Sequence, residues 1–433
     1  MTEAPLGTAV APARGGPAWL AERRASAAAA FSEARLPTEA DEDWRYGRVD
    51  ELDLAAFSPA RLTDGALADG PAARALLGAL GERACLVRTG PGRVEVDLAP
   101  PAAATGLAVS PLSALERAPF GYGSLVGAAP DAFTFLAEAE ATDAVVVEVP
   151  AGVRVDEPIV VVHDLASAED GAAYFPRTFV SLGEDARASV VELVASNDAR
   201  LLALPVTELE LGPGASLAYH AVQQLGRRAW QLGYQASTLG PGAELTSFTA
   251  AFGGDYARLS TRSSLTGEHA RSRLLAVYFG DGGQVQDLRT FQEHVAPRTR
   301  SELVFKGAVA DTARSVYSGL IRIAKGAYRS DAGQTNRNLV LSEGARADSV
   351  PNLEIEENDV RCSHASAVGP IDAEQRFYLE TRGVPPEVAD RLILLGFFGD
   401  LLDEAPHAGL GALLREAVAS RLASRLAPPG SRP

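Results

Sequence analysis

Two residues near the C-terminus of this 433-residue chain could bind a soft or borderline metal: Cys362 and His364, in the stretch DVRCSHASAVGPID. Thiolate and imidazole both suit iron, zinc and copper. On a strand, residues two apart share a face. Read as one strand, EIEENDVRCSHASAV sets Val360, Cys362, His364 and Ser366 in a single row. A lone Cys is also a common small core residue, and a lone His in a β protein often serves as a structural hydrogen-bonder. The spacing by itself leaves both readings open. The cysteine count narrows them. The chain has two cysteines, Cys362 and Cys85, and a cluster held by thiolates needs four. Cys85 falls in a different predicted domain, so a metal centre at Cys362 and His364 requires ligands from another chain.

Other familiar chemistry is missing from the sequence. There is no Gly-rich loop followed by Lys-Ser/Thr, no G-x-S-x-G elbow, no HExxH and no CxxC. Carboxylates are plentiful, and a β-helix can carry a sugar-cleaving pair, but nothing in the sequence says which would pair. A β-helical carbohydrate-active enzyme is one alternative, and a purely structural β-solenoid without a metal role is another.

The net charge is −16 and the pI about 4.9. This argues against nucleic acid or an anionic membrane as the main partner, since phosphate binding needs clustered Lys and Arg. Two cysteines make no disulfide framework, which fits a reducing compartment. No apolar run reaches the roughly 18 residues that span a bilayer, and the N-terminus lacks the pattern of a secretory signal. The expectation is a soluble cytoplasmic protein.

The elements that must position the Cys–His row fall into three regions. Residues 1–16 are rich in Ala, Pro and Gly and are expected to be disordered. Residues 17–130 read as a helix-rich domain. It has helices over 17–36 and 63–80, a Trp44-Arg45-Tyr46 packing anchor, and two strands around Gly90-Pro91-Gly92. Residues 143–372 read as short strands with turns marked by Gly, Pro and Asp. A faint repeat runs through them: LGEDARASV from Leu182, LGPGASL from Leu211, LGPGAEL from Leu239 and LTGEHARSRL from Leu265, with a late echo, LSEGARADSV, from Leu341. A short period with no helices between strands predicts a parallel β-solenoid ahead of a sandwich or a doubly wound sheet. FKG at 305–307 reads as one of its turns. Residues 373–433 read as three helices, the second with an apolar face of Val388, Leu392, Leu395 and Phe398. Phe377, Tyr378, Leu392 and Phe398 are expected mostly in the core. The two flanking domains are expected to cover the solenoid's open ends.

The segment SVPNLEIEENDVRCSHASAVGPIDAEQRFYLETRGVPPEVADRLILLGFF resembles the C-terminal signature of the SufB/SufD family of iron–sulfur cluster assembly proteins. RTRSELVFKGAVADTARSVYSGLIRIAKGAYRSDAGQTNRNLVLSEGARADS, DAVVVEVPAGVRVDEPIVVVH and LPTEADEDWRYGRVDELDL resemble earlier family markers. The likeness covers residues 36 to 400 and is weakest over 55–120. DVRCSHASAVGPID looks SufD-like, since a SufB would carry more upstream cysteines and a Glu in an EHEA-like stretch. The small residues after His364 and Gly47 after Tyr46 depart from the family's usual pattern.

The resemblance implies a right-handed parallel β-helix between two helical domains, in a non-catalytic subunit of a SufB–SufC–SufD complex. It implies a SufB-like paralogue paired at the β-helix end and a SufC ABC-type ATPase docked on the C-terminal helices, with Arg376, Glu380 and Arg382 as contact candidates. It implies a transient iron–sulfur cluster or iron at the SufB interface, with His364 as ligand and Cys362 as ligand or neighbour. His294 matches a family position, where a buried structural role is expected. A reduced flavin is possible at the level of the complex, and a homodimer when the chain is isolated.

Overall fold

The computed structural model describes residues 6–7, 15–60, 67–127, 131–405 and 407–426, with side chains to 421. Its centre is a β-solenoid of two sheets. In one sheet, strands Val145–Val149, Arg177–Leu182, Val206–Leu211, Trp230–Leu239, Tyr256–Leu265, Val285–His294, Arg314–Ile323 and Arg346–Ile355 run side by side. In the other, Ile159–Leu165, Arg187–Ser196, Ser216–Gln224, Glu244–Ala251, Arg271–Gly280, Arg300–Val309, Asp331–Val340 and Arg361–Gly369 do the same. Within each series every neighbour is parallel. The chain alternates between the sheets, one strand in each per coil.

The LG repeat explains the winding. Its leucine is the last residue of a first-sheet strand, and in register it stacks on its equivalents: Leu182 on Leu211, Leu211 on Leu239, Leu239 on Leu265. These side chains are fully buried, each worth about 2 kcal/mol in removed apolar surface. The turn then needs one residue in the left-handed region. Gly214 and Gly242 supply it without a Cβ penalty, at φ 66° and 67°. Asp185, His269, Arg298 and Arg329 occupy the same place in other coils, at φ 55° to 64°. A small residue follows and turns inward: Ala186, Ala215, Ala243, Ala270, then Thr299 and Ser330, each at most 1% exposed. LSEGARADSV proves to be a different turn. It joins Asp331–Val340 to Arg346–Ile355, on the opposite edge of the solenoid.

FKG is not a turn. Phe305, Lys306 and Gly307 lie inside Arg300–Val309. Gly307 is needed because a Cβ there would sit 1.9 Å from the Tyr278 ring. His294 takes the ladder position between Leu265 and Ile323. It is buried and bonds Thr299 Oγ1 at 2.7 Å and Ser301 Oγ at 2.8 Å. Burial pulls its pKa down to about 4, consistent with a structural histidine.

The N-terminal region is wrapped onto the solenoid. Cys85–Gly90 and Arg93–Leu98 form the expected antiparallel hairpin, and the first of them pairs parallel to Ile159–Leu165, so the second sheet begins at Cys85. Cys85 is therefore a solenoid residue, not a member of a separate domain. Ala108–Pro111 closes the first sheet, antiparallel to Val145–Val149. Helix α1 (Ala18–Glu33) forms as expected. Helix α2 covers Pro71–Leu80, starting later than 63 because Pro71 suits a first helical turn; residues 61–66 lie outside those described. Trp44 packs on Phe133 and under the Arg258 guanidinium, 3.8 Å from the ring centre. Within the expected disordered tail, Leu6 is buried and its N–H donates to Phe57 O at 2.7 Å. Residues 1–5 and 8–14 are outside the described set.

Three helices follow the last strand: α3 (Ala373–Thr381), α4 (Pro386–Asp403) and α5 (Ala408–Leu426). They do not cap the solenoid's end. α4 and α5 lie along the outer face of the second sheet, where Leu394, Phe398, Leu401, Leu410 and Leu414 join Phe248, Leu275 and Phe279 in one core with α2. Lys306 Nζ fixes them there, donating to Phe397 O at 2.8 Å and to Asp400 at 2.6 Å. Among the described residues no helix is long and apolar enough to cross a membrane.

Candidate functional site

The predicted row survives in a shorter strand. Arg361–Gly369 is extended, while Val360 precedes it and lies outside the row. Cys362 pairs in register with Ala332, His364 with Gln334, Ser366 with Asn336 and Val368 with Asn338. Those four partners of the preceding coil are all buried, each at most 3% exposed. The Cys362 row therefore continues the solenoid's inward-facing column. It belongs to the last coil, so nothing among the described residues covers it, and His364, Ser366 and Val368 are exposed.

The opposite wall of this end is Arg346–Ile355, the last strand of the first sheet. Ser366 Oγ donates across the gap to Ser349 Oγ at 2.8 Å. Cys362 packs with Leu353 and Val360 over Ile321, Ile323 and Ala332. It is half-buried and unbonded to Cys85. Burial, and then Asp331, push its thiol pKa up, so it is no thiolate in the free chain at neutral pH. A metal or an approaching cation would have to lower it. Among the described residues both terminal strands have one unpaired edge, the kind of edge that can pair with another chain.

Among the described residues, no three His, Cys, Asp or Glu side chains gather where one metal ion could sit. The end face offers two donors, Cys362 sulfur and His364 nitrogen. That is half of a tetrahedral set.

The last strand leads through residues 370–372 into α3, whose N-terminus is capped by Asp372, the carboxylate accepting from Glu374 N at 2.8 Å. None of α3 is buried. Here the expectation of core packing fails. Phe377 is 68% exposed, Tyr378 58%, Leu392 48% and Val388 44%, while Phe398 is fully buried. Along α4, Ala389, Leu394, Phe398, Leu401 and Leu402 are buried while Val388 and Leu392 are exposed, so the apolar residues of one helix serve two different surfaces. Glu374, Tyr378, Leu379, Leu392 and Ile393 line a shallow groove between α3 and α4. Arg376 ties the helices together, 3.3 Å from Glu380 and 3.1 Å from Asp390. Arg382 lies over the Tyr378 ring at 5.3 Å. Of the three predicted contact residues, Arg376 and Glu380 thus also hold the hairpin's shape. Sequence reading missed the aromatic pair as surface because periodicity marks an apolar face without saying what covers it.

The family model for the SUF system FeS cluster assembly SufBD core domain matches residues 165–397. The iron–sulfur cluster assembly protein SufD of Escherichia coli is 31% identical over 306 residues, 70% of this chain and 71% of that protein. SufD of Bacillus subtilis is 28% identical over 267 residues, 60% of each chain. A SufBD family protein of Mycobacterium tuberculosis is 37% identical over 220 residues, 49% of this chain and about half (51%) of that one.

Proposed function

Because this chain belongs to the SufB/SufD family of iron–sulfur cluster assembly proteins and is SufD-like, we propose that it is a non-catalytic scaffold subunit. In this reading its open solenoid end pairs with a SufB-like paralogue and its C-terminal helices dock a SufC-type ATPase, in the cytoplasm. One observation carries the reading: an uncovered end face that presents Cys362 and His364 with no third ligand in reach among the described residues. A paired subunit that covers this face would bring the missing donors, and the nascent cluster is then cargo shared between two chains. His364 is the proposed ligand; Cys362 is a ligand or a neighbour.

The exposed Phe377, Tyr378 and Leu392 support a docking surface on α3 and α4. Arg376, Glu380 and Arg382 edge the same surface. A three-residue link joins it to the Cys362 strand. Nucleotide-driven closure of two ATPase subunits would move α3 and, through that link, bias the end face between two arrangements. A reduced flavin, if the complex carries one, belongs to the assembled complex.

The test is anaerobic reconstitution with the SufB- and SufC-type partners, wild type against His364→Ala. The complex is expected to assemble in both cases, with cluster absorbance falling at least about tenfold in the variant, the scale seen when a metal site is disturbed. An unchanged yield would reduce this subunit to holding its partners in place.

A further inference from the structure

Directly beneath His364 the solenoid holds a polar group it does not use. Gln334 pairs with His364 in register on the neighbouring strand, and both side chains face inward. Stacked residues of adjacent strands lie about 4.8 Å apart. Gln334 is 2% exposed, yet neither its amide nitrogen nor its amide oxygen has a hydrogen-bond partner. Such groups are rare because each orphaned atom costs about 1–3 kcal/mol. Space for the carboxamide is cut out of the opposite wall. A Cβ at Gly319 would sit 2.8 Å from both amide atoms. An apolar residue would fill this place more stably than an orphaned amide.

We propose that Gln334 is a positioning residue for His364: its carboxamide oxygen accepts the ring N–H that faces into the solenoid, leaving the other nitrogen free for iron. A metal-ligating histidine characteristically hands its second N–H to such an acceptor, which fixes the tautomer and the ring plane. The imidazole is exposed while the carboxamide is enclosed, so the enclosed partner sets the orientation. This rests on the reading of His364 as a ligand, but its first test does not involve iron.

The measurement is the His364 tautomer in the free chain, from two-bond ¹H–¹⁵N couplings at pH 8 with labelled histidine. Wild type is expected to show one dominant tautomer, and Gln334→Met, of similar length and without an amide, a mixture. Gln334→Glu, which keeps an acceptor, is expected to restore the single form. Unchanged signals from the other five histidines report an intact fold. The same tautomer ratio in wild type and Gln334→Met overturns the proposal. In the reconstituted complex, Gln334→Met should need about tenfold more iron for half-maximal cluster yield, with rescue by Gln334→Glu. If Gln334 sets the tautomer while His364→Ala leaves the yield intact, the positioning contact stands and the ligand reading falls.

Discussion

The two cysteines lie on the inward face of the second sheet at opposite ends of the solenoid. Each is an inward-facing residue near the start of a second-sheet strand: Cys85 on the strand that begins the sheet, Cys362 on the strand that ends it. Their surroundings differ completely. Beyond Cys85 the Arg93–Leu98 strand adds an antiparallel edge, and the thiol is fully buried with its pKa pushed up to about 12. Beyond Cys362 the described residues add no further strand, and the thiol is half-exposed. Cys85 stands in the register column that ends at His364, one inward position along from Cys362, so the same residue type on the same inward face is core at one end and surface at the other. What an inward position can do depends on whether another layer follows it.

Alkylation tests this contrast with the largest effect. With a pKa near 12, only about one Cys85 thiol in ten thousand is ionised at pH 8, and burial adds a steric barrier. Cys362 should react with iodoacetamide at least about a hundredfold faster in the native chain. Equal rates would mean that the first coil opens as readily as the last.

Side-chain truncation sharpens the same contrast. Leu239→Ala, inside the ladder, should cost about 3 kcal/mol in urea unfolding. Leu353→Ala, on the uncovered last strand, should cost less than about 1 kcal/mol, because a partly solvated site leaves no closed cavity. Similar losses at both sites would show that the terminal coil is as tightly packed as the middle.

The smallest effect concerns the flank that the helices seal. His220 is buried against Phe248, beneath the C-terminal helices, and neither ring nitrogen has a partner. Burial, with His407 nearby, takes its pKa down to about 3. The unfolded chain therefore binds this proton near pH 6.5 and the folded chain does not, so stability falls as pH drops from 6.5 toward 3. At pH 5 the loss is about 2 kcal/mol from this residue. Unfolding free energies from urea titration at pH 7 and pH 5 should differ less in His220→Phe, by about that amount. An identical pH dependence in the variant would mean that the helices lift and let His220 protonate.

Much of this arrangement was legible before any coordinates. Leucine, left-handed turn and small inward residue recur in LGPGAS and LGPGAE, and that local grammar specifies a solenoid coil by itself. The parity of Cys362 and His364 was readable for the same reason. The misreadings share one cause, which is that a residue type does not reveal its neighbour. Gly307 looked like a turn, but it is small because Tyr278 needs the space. Phe377 and Leu392 looked like core, but nothing among the described residues covers them. Gln334 gave no signal, because only its place one coil below His364, 30 positions earlier in sequence, gives it meaning.

The turn column has a further consequence. Each left-handed residue and each ladder side chain serves one coil only, so the molecule is a ruler graduated in coils. Its length can change by whole coils, about 4.8 Å at a time, but by no smaller step without breaking the register. The separation between the sealed end at Cys85 and the open end at Cys362 is thus quantised. Any assembly that grips both ends must be matched to that integer.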